Sequence, residues 1–292
     1  MTALAPTLQS FFTDYLIGQR GASSHTIGAY RDTFRLLLNH LHQRTGIKPH
    51  RLDIGDLGAD AIADFLTMLE TERGNGVSTR NARLAAIHSL FHHAALCHPE
   101  HADLIARVLA IPTKNTSQTV LTYLTDPEVD ALLAAPDRTT WTGRRDHTLI
   151  LVMVTTGLRV SELTGLTRAD VSVNGRAAHI ACHGKGRKDR ITPLDAVTSK
   201  AVRLWLTENR GRPESAVFTA RGTNRRMSTD AVAQRLQLHA TTAAAACPTL
   251  TGRTVSPHVL RHSCSMHMLA AGIDATTIAL WLGHESPEST RP

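Results

Sequence analysis

Apolar residues recur at three- and four-residue intervals through most of the first hundred residues, and this periodicity constrains the fold more than any other feature. The strongest run begins after Ser24, the expected N-cap of a helix, and ends at Gly46, the expected helix stop. Similar runs lie around residues 8–17, 62–69 and 78–91. Helices with one apolar face have to bury that face against each other, so the pattern predicts a small helical bundle.

The second half of the sequence combines helical periodicity with short strand-like runs. An Asn-Gly pair at 174–175 separates two of these runs, and a glycine-flanked turn around Lys185 leads into a third at 190–194. We therefore predict a mainly α-helical protein with a small antiparallel β-sheet. The helices expected in this half cover about 143–156, 196–208, 228–240, 257–271 and 275–282.

A segment without periodicity separates the two halves. Residues 111–124 are rich in Thr and Ser and poor in charge, which is typical of a linker. The sequence Thr125-Asp-Pro-Glu128 has capping-box spacing, so a new helix is expected to begin there. We predict a helical domain at 1–110, a linker at 111–124 and a second domain at 125–292.

The charge of the chain is unevenly distributed. It carries 32 Lys and Arg against 25 Asp and Glu, a formal net charge of +7. Residues 1–110 hold ten side chains of each sign, so the whole excess lies in residues 111–292. The stretch 185–235 alone has 12 basic and 5 acidic residues. A localised excess of this kind favours a polyanionic partner such as nucleic acid.

Composition also excludes several classes of protein. No apolar run approaches the ~18 residues of a membrane helix, and the N-terminus lacks the basic and apolar regions of a secretory signal. The four cysteines are widely spaced, without a CxxC pair, which argues against a disulfide framework or a cysteine zinc site. We expect a soluble cytoplasmic protein that has no membrane partner.

Five basic side chains in the second half are poorly explained by packing alone. If they converge, they form an anion site, and a phosphodiester suits it because arginine forks match its two non-bridging oxygens. Lysine and histidine can move protons near such a group, so the chemistry needs no metal or other cofactor. Glu162, one turn after the first arginine, is expected to orient a guanidinium or a histidine. The five residues are Arg159, Lys185, His258, Arg261 and His284.

These residues lie in four motifs that resemble the successive active-site motifs of the tyrosine recombinase (phage integrase) family, in the same order. The likeness is closest to Xer-type, integron and transposon recombinases. The N-terminal helices resemble the core-binding, SAM-like domain of that family, and residues 125–292 resemble its catalytic domain. The motifs are Thr156-Gly-Leu-Arg159-Val-Ser-Glu162-Leu, Gly184-Lys185-Gly-Arg-Lys-Asp-Arg190, Pro257-His258-Val-Leu-Arg261-His-Ser and Leu282-Gly283-His284.

The resemblance implies a site-specific DNA recombinase that binds a duplex site and assembles into dimers or tetramers on it. Arg159 and Arg261 would hold the scissile phosphate, and Lys185 would protonate the 5′ leaving oxygen. His258 would transfer protons, and His284 would donate a hydrogen bond to the phosphate. A tyrosine would attack phosphorus and form a 3′ phosphotyrosyl bond, which a 5′ hydroxyl later resolves.

The sequence departs from the family pattern at the nucleophile. In the family the tyrosine follows the histidine of the Leu-Gly-His motif by nine residues, which corresponds here to a position one beyond Pro292. The tyrosines present, Tyr15, Tyr30 and Tyr123, lie in the predicted bundle or linker. We expect the 292-residue chain, without the C-terminal tyrosine segment, to bind DNA but not to form the covalent intermediate. The alternative function is that of a non-catalytic DNA-binding protein derived from a recombinase.

Further basic residues are candidates for contacts to the DNA backbone, and Lys188 is a rival of Lys185 for its role. A weaker alternative is a metal-dependent hydrolase, because His88 and His92 have the spacing of a zinc pair. The Glu of an HExxH motif is absent from this run, so a polar face of the bundle is the favoured interpretation. The candidate DNA-contacting residues are Arg187, Lys188, Arg190, Arg221, Arg225 and Arg226.

Overall fold

The computed structural model describes residues 3–115, 123–173, 177–183 and 189–283. The chain forms two compact units, Met1–Thr119 and Val120–Pro292. Each unit has a hydrophobic core of its own. The mainly helical class with one small antiparallel sheet is as predicted.

The N-terminal unit is a bundle of amphipathic helices. The first helix continues directly into a π-helical stretch, Phe11–Gln19, which the sequence pattern did not predict. Ser23, and not Ser24 as expected, is the N-cap of the long second helix, because its hydroxyl accepts the N–H of Thr26. The α-helices described here are α1 (Leu4–Ser10), α2 (Ser24–Thr45), α3 (Ala59–Thr71), α4 (Val77–Cys97) and α5 (Ala102–Leu109).

Two tyrosines belong to the aromatic core of this unit. The ring of Phe11, which is fully buried, stacks on Tyr15 and Tyr30 with centroid distances of 5.7 and 6.2 Å. Phe34 meets the same ring edge-on. Both tyrosine rings therefore contribute to packing in the bundle.

The structure describes the two ends of the predicted linker, residues 111–124. At its start Ile111 packs against the core of the first unit, and Lys114 forms an ion pair with Glu70 at 2.7 Å. At its end Leu124 is fully buried in the core of the second unit. The described ends of this segment thus pack on the units that they adjoin.

The C-terminal unit contains seven α-helices in its described part and a three-stranded antiparallel sheet with strand order β1-β2-β3. The expected helices are confirmed with bounds shifted by at most a few residues, and the expected Asn-Gly turn lies outside the described residues. The helices are α6 (Asp126–Ala134), α7 (Trp141–Thr156), α8 (Val160–Gly165), α9 (Ala196–Glu208), α10 (Thr229–Ala243), α11 (Pro257–Ala270) and α12 (Ala275–Leu282). The strands are β1 (Val171–Ser172), β2 (His179–His183) and β3 (Asp189–Pro193).

Helix α7 runs through the centre of this unit and positions its neighbours. Its carboxylate Asp146 is buried and accepts hydrogen bonds from Arg145 on the same helix. The same carboxylate accepts from Arg235 and His239 of α10 at 2.6 and 2.8 Å. Because each oxygen of the buried carboxylate has a donor, this cluster fixes α10 against α7 without leaving an unpaired charge. Within the described ranges, no helix combines the length and the hydropathy needed to cross a bilayer.

Candidate active site

Two helices of the C-terminal unit end at glycines that lie close together. Gly157 ends α7 with φ of 63°, and Gly283 ends α12 with φ of 65°, both in the left-handed region. A Cβ at Gly157 would lie 2.4 Å from Cδ2 of Leu282 and 3.2 Å from Sγ of Cys264. Glycine is therefore required at this position for both its backbone conformation and its small size.

The end of α12 gathers three arginines. The carbonyl oxygens of residues 281–283 accept hydrogen bonds, in that order, from Arg190 Nε (3.1 Å), Arg261 Nη2 (2.7 Å) and Arg159 Nη2 (2.9 Å). Carbonyls in the last turn of a helix have no partner within the helix, and they carry the negative end of its dipole. The helix end therefore binds three guanidinium groups that would otherwise repel each other.

Arg261 connects the two helix ends. It lies on α11, is only 7% exposed, and donates from Nη1 to the carbonyl oxygen of Gly157 at 2.6 Å in addition to its bond with Leu282. Burial and repulsion from Arg159 lower the pKa of its guanidinium to about 10. A bound anion would oppose both effects, so the position favours contact with a negatively charged group.

Glu162 is the carboxylate of the cluster. It lies in the first turn of α8, with 6% of its side chain exposed, and accepts the backbone N–H of Arg159 at 2.8 Å. It also accepts from the guanidiniums of Arg159 (3.0 Å) and Arg190 (2.9 and 2.8 Å). Burial opposes its ionisation, but the hydrogen bonds from Arg190 and Arg159 prevail and lower its pKa to about 2. Glu162 thus binds the guanidiniums of both Arg159 and Arg190.

The cluster has an excess of positive charge. In its described part it holds three guanidiniums and one carboxylate: Arg159 and Arg190 bind Glu162, and Arg261 binds the carbonyl oxygen of Leu282. Arg159 keeps 41% of its side chain exposed, and part of its guanidinium is therefore open to a ligand from solution. A site of this composition can bind a phosphate diester through charge-assisted hydrogen bonds from donors that are already in place.

The other predicted site residues are placed as follows. His258 is exposed in the first turn of α11, three residues before Arg261, so the two share a helix face. The structure thus brings together Arg159, Glu162 and Arg261, with His258 on the helix that carries Arg261. The predictions for four residues fall outside the described part of the chain: Lys185, Arg187, Lys188 and His284.

Arg190 is less exposed than the sequence predicted. The sequence placed it on a DNA-contacting surface, whereas only 13% of its side chain is exposed and all three of its guanidinium nitrogens bind Glu162 or the carbonyl of Trp281. The usual alternation of a strand, with apolar side chains inside and polar ones outside, is reversed in β3, where Ile191 is 68% exposed and Thr192 is buried. The sequence therefore did not indicate that Arg190 points inward. By contrast, the expected surface arginines Arg221, Arg225 and Arg226 are all exposed.

The histidines of the N-terminal bundle make ordinary polar contacts. His88 Nε2 lies 3.1 Å from the carbonyl oxygen of Val108, and His93 Nε2 lies 3.1 Å from the hydroxyl of Ser10. In the part of the chain that the structure describes, no three or more His, Cys, Asp or Glu side chains form a group that could hold a metal ion. These contacts agree with the interpretation as a polar face of the bundle.

The phage integrase family matches residues 122–292, and the N-terminal SAM-like domain of phage integrases matches residues 10–96. The chain belongs to the phage integrase family, which comprises tyrosine-type site-specific DNA recombinases.

Named relatives agree with this membership. The chain is 50% identical over 290 residues to the putative integrase/recombinase y4rC of Sinorhizobium fredii, covering 99% of this chain and 86% of the relative. It is 30% identical over 299 residues to the tyrosine recombinase XerD of Pseudomonas aeruginosa, covering 100% and 93%.

Solved structures share the fold at low identity. A lambda integrase dimer bound to a COC′ core site superposes with a TM-score of 0.70 at 16% identity, covering 99% of this chain and 97% of that one. The XerH recombinase bound to its difH substrate superposes with a TM-score of 0.68 at 19% identity, covering 97% and 79%.

Proposed function

We propose that the arginine cluster at the end of α12 binds the DNA phosphodiester at which strands are exchanged, and that the reaction is a metal-free transesterification. The observation that carries this proposal is the binding of three guanidiniums by consecutive carbonyls, with one carboxylate among them. The donors are held by backbone groups before a ligand arrives, so they need little reorganisation when charge develops on a phosphorane.

The roles of the side chains follow from their chemistry. Arg159 and Arg261 hold the non-bridging oxygens of the phosphate, and His258 transfers a proton near neutral pH. A tyrosine oxygen forms the new bond to phosphorus while the bond to the 5′ oxygen breaks, and Lys185 supplies the proton that the leaving oxygen takes. His284 donates a hydrogen bond to the phosphate.

The tyrosines of the 292-residue polypeptide support a finer proposal. Tyr15 and Tyr30 stack on Phe11 in the N-terminal unit. The ring of Tyr123 lies beside those of His262 and His267, with centroid distances of 6.3 and 6.4 Å. We propose that this polypeptide by itself binds DNA without forming a covalent adduct, because the ring contacts of its three tyrosines assign them to packing.

The partners that we propose are a double-stranded recombination site and further copies of this chain, as dimers or tetramers on that site. The exposed arginines Arg221, Arg225 and Arg226 would follow the DNA backbone, as would Arg187 and Lys188. The DNA complexes of XerH and of the lambda integrase dimer support this assignment by fold. We place the activity in the cytoplasm.

The proposal is tested by selecting duplexes from a randomised library with the purified chain. We expect enrichment of a specific duplex, and we expect the Arg159→Met variant to bind that duplex more weakly. A nicked suicide version of the same duplex should give no denaturant-resistant adduct with the 292-residue chain. It should give an adduct when the chain is extended so that a tyrosine follows His284 by nine residues. Failure to enrich any duplex would contradict the binding proposal, and an adduct with the unextended chain would contradict the finer one.

A further inference from the structure

We propose that Arg190 is a positioning residue of the phosphate-binding site, which acts through Glu162 to fix the guanidinium of Arg159. This inference rests on the proposed function, because it assigns a role within the same site. Arg190 does not present a free edge for the DNA backbone: its Nε, Nη1 and Nη2 atoms each donate a hydrogen bond inside the cluster.

Two arginines share the carboxylate of Glu162. Each oxygen of Glu162 accepts one N–H from Arg159 and one from Arg190. Oε1 accepts from Arg159 Nη1 at 3.0 Å and from Arg190 Nη1 at 2.9 Å, and Oε2 accepts from the Arg159 backbone N and from Arg190 Nη2, both at 2.8 Å. The two-point contact with Arg190 sets the plane of the carboxylate, and that plane sets where Arg159 can donate.

Glu162 is a buried carboxylate with two arginine partners. Only 6% of its side chain is exposed, so its ionised form depends on its partners. Without Arg190 the carboxylate keeps a single cationic partner, Arg159, and would attract that guanidinium more strongly into the protein. Arg190 therefore supplies the second charge that leaves Arg159 shared between Glu162, the carbonyl of Gly283 and an incoming phosphate.

Strand β3 and the end of α12 both accommodate the side chain of Arg190. Arg190 pairs with Cys182 across the sheet, and its neighbour Ile191 is 68% exposed, so the β3 strand turns its arginine inward and its isoleucine outward. A Cβ at Gly283 would lie 3.0 Å from Nη1 of Arg190. The glycine before the His284 position thus leaves the space that this guanidinium occupies.

Arg190 consequently links three motifs of the site. It belongs to β3, it binds the carboxylate one turn after Arg159, and it binds the carbonyl of Trp281 at the end of α12. A displacement of about 1 Å in a group that contacts the reacting centre lowers reactivity by roughly a hundredfold. A residue that fixes such a group contributes to the reaction without touching the DNA.

The test is phosphate-ethylation interference on a duplex selected from a randomised library by the unmodified chain. Arg159→Met should weaken the interference at one phosphate or a symmetry-related set, where Arg261 remains as a partner. We expect Arg190→Met to weaken the interference at the same phosphate and to weaken binding up to about tenfold, as for the loss of one charge-assisted contact. All other interference positions should stay as in the unmodified chain.

Arg253→Met is the matched control for lost stability. Arg253 lies in the same unit and forms an ion pair with Glu128, which is buried as Glu162 is. Nη1 of Arg253 lies 2.6 Å from Oε1 of Glu128. This variant should lose comparable stability and keep the full interference pattern. Arg190→Lys keeps the positive charge but cannot span both carboxylate oxygens. It should fold and show weakened interference at the same phosphate, so it decides the question if Arg190→Met does not fold.

The outcomes separate this inference from the proposed function. If Arg159→Met and Arg261→Met weaken the interference at one phosphate while both Arg190 variants keep it, the positioning role is overturned and the phosphate site stands. If neither Arg159→Met nor Arg261→Met changes the pattern, the proposed function is overturned and this inference fails with it. If Arg253→Met weakens the interference at the same phosphate as Arg190→Met, the effect is one of stability, and the positioning role is overturned.

Discussion

Arg159 donates a hydrogen bond from Nη2 to the carbonyl oxygen of Gly283 over 2.9 Å, although 124 residues separate them in the chain. This contact joins the start of α8 to the end of α12. A backbone carbonyl at a helix end attracts a guanidinium without neutralising its charge, in contrast to a carboxylate. The site can therefore hold its arginines in place and still attract a phosphate.

The close approach of two helix ends predicts a large cost for a side chain at Gly157. Gly157→Ala would place a methyl group 2.4 Å from Leu282 and strain a residue with φ of 63°. We expect the free energy of unfolding to fall by roughly 2–4 kcal/mol, from left-handed strain and overpacking together. Denaturant unfolding of the Gly157→Ala variant and the unmodified chain measures this difference in the free energy of unfolding.

Gly272→Ala is the control for that substitution. Gly272 also has positive φ, 83°, but nothing lies within 4 Å of its Cβ position. It should lose only the backbone contribution, roughly 1–2 kcal/mol. Equal losses in the two variants would show that the helix ends are not packed as described.

The ion pairs of Glu162 predict a specific loss of stability in acid. Its pKa is lowered from 4.5 to about 2 in the folded chain, so its contribution is complete above about pH 4.5 and disappears as pH falls towards 2. The contribution is roughly 3 kcal/mol at pH 7 and roughly 1.5 kcal/mol at pH 3. The difference in unfolding free energy between the unmodified chain and Glu162→Gln should narrow accordingly over this range.

Glu208→Gln provides the comparison for that measurement. Glu208 pairs with Arg144 at 2.7 Å, but both side chains are about one-third exposed. Solvent screens such pairs, so its substitution should change stability little at either pH. If the difference in unfolding free energy between the unmodified chain and Glu162→Gln stays constant between pH 7 and pH 3, the pKa of Glu162 is not lowered as described.

The exposed arginines of residues 221–226 predict a salt-dependent contribution to DNA binding. Replacing Arg221, Arg225 or Arg226 by Gln should weaken binding similarly for all duplexes. Each lost phosphate contact should reduce the slope of log affinity against log salt by about 1. Titrations at several salt concentrations measure this slope. An unchanged slope for all three variants would show that residues 221–226 do not contact the DNA backbone.

Much of the architecture was predictable because local signals coincide with tertiary ones. The capping box at Thr125 begins α6, and the glycine at 157 ends α7, as the sequence indicates. Arg159 and Arg261 were identified because arginines at a helix stop and near a helix start gain little from packing. Their convergence in the structure depends on the same helix ends.

Other features depend on contacts that the sequence pattern does not report. The role of the carbonyls of residues 281–283 could not be predicted, since main-chain acceptors are the same at every position. The inward direction of Arg190 was hidden because Ile191 takes the exposed face of β3, against the usual preference of an apolar side chain. The π-helical stretch at Phe11–Gln19 continues directly from α1, and the spacing of its residues does not distinguish it from an α-helix.

In the proposed function, Arg261 and Arg159 together contact one particular DNA phosphate. The most direct measurement compares the unmodified chain and Arg261→Met on the selected duplex and on a duplex with a neutral methylphosphonate at that phosphate. Neutralising the phosphate should weaken the unmodified chain by roughly 10- to 100-fold. Arg261→Met should bind the unmodified duplex more weakly and should lose less affinity on neutralisation than the unmodified chain, because only Arg159 of the two arginines still contacts that phosphate. If the variant loses as much affinity on neutralisation as the unmodified chain does, Arg261 does not contact that phosphate, and the account is wrong.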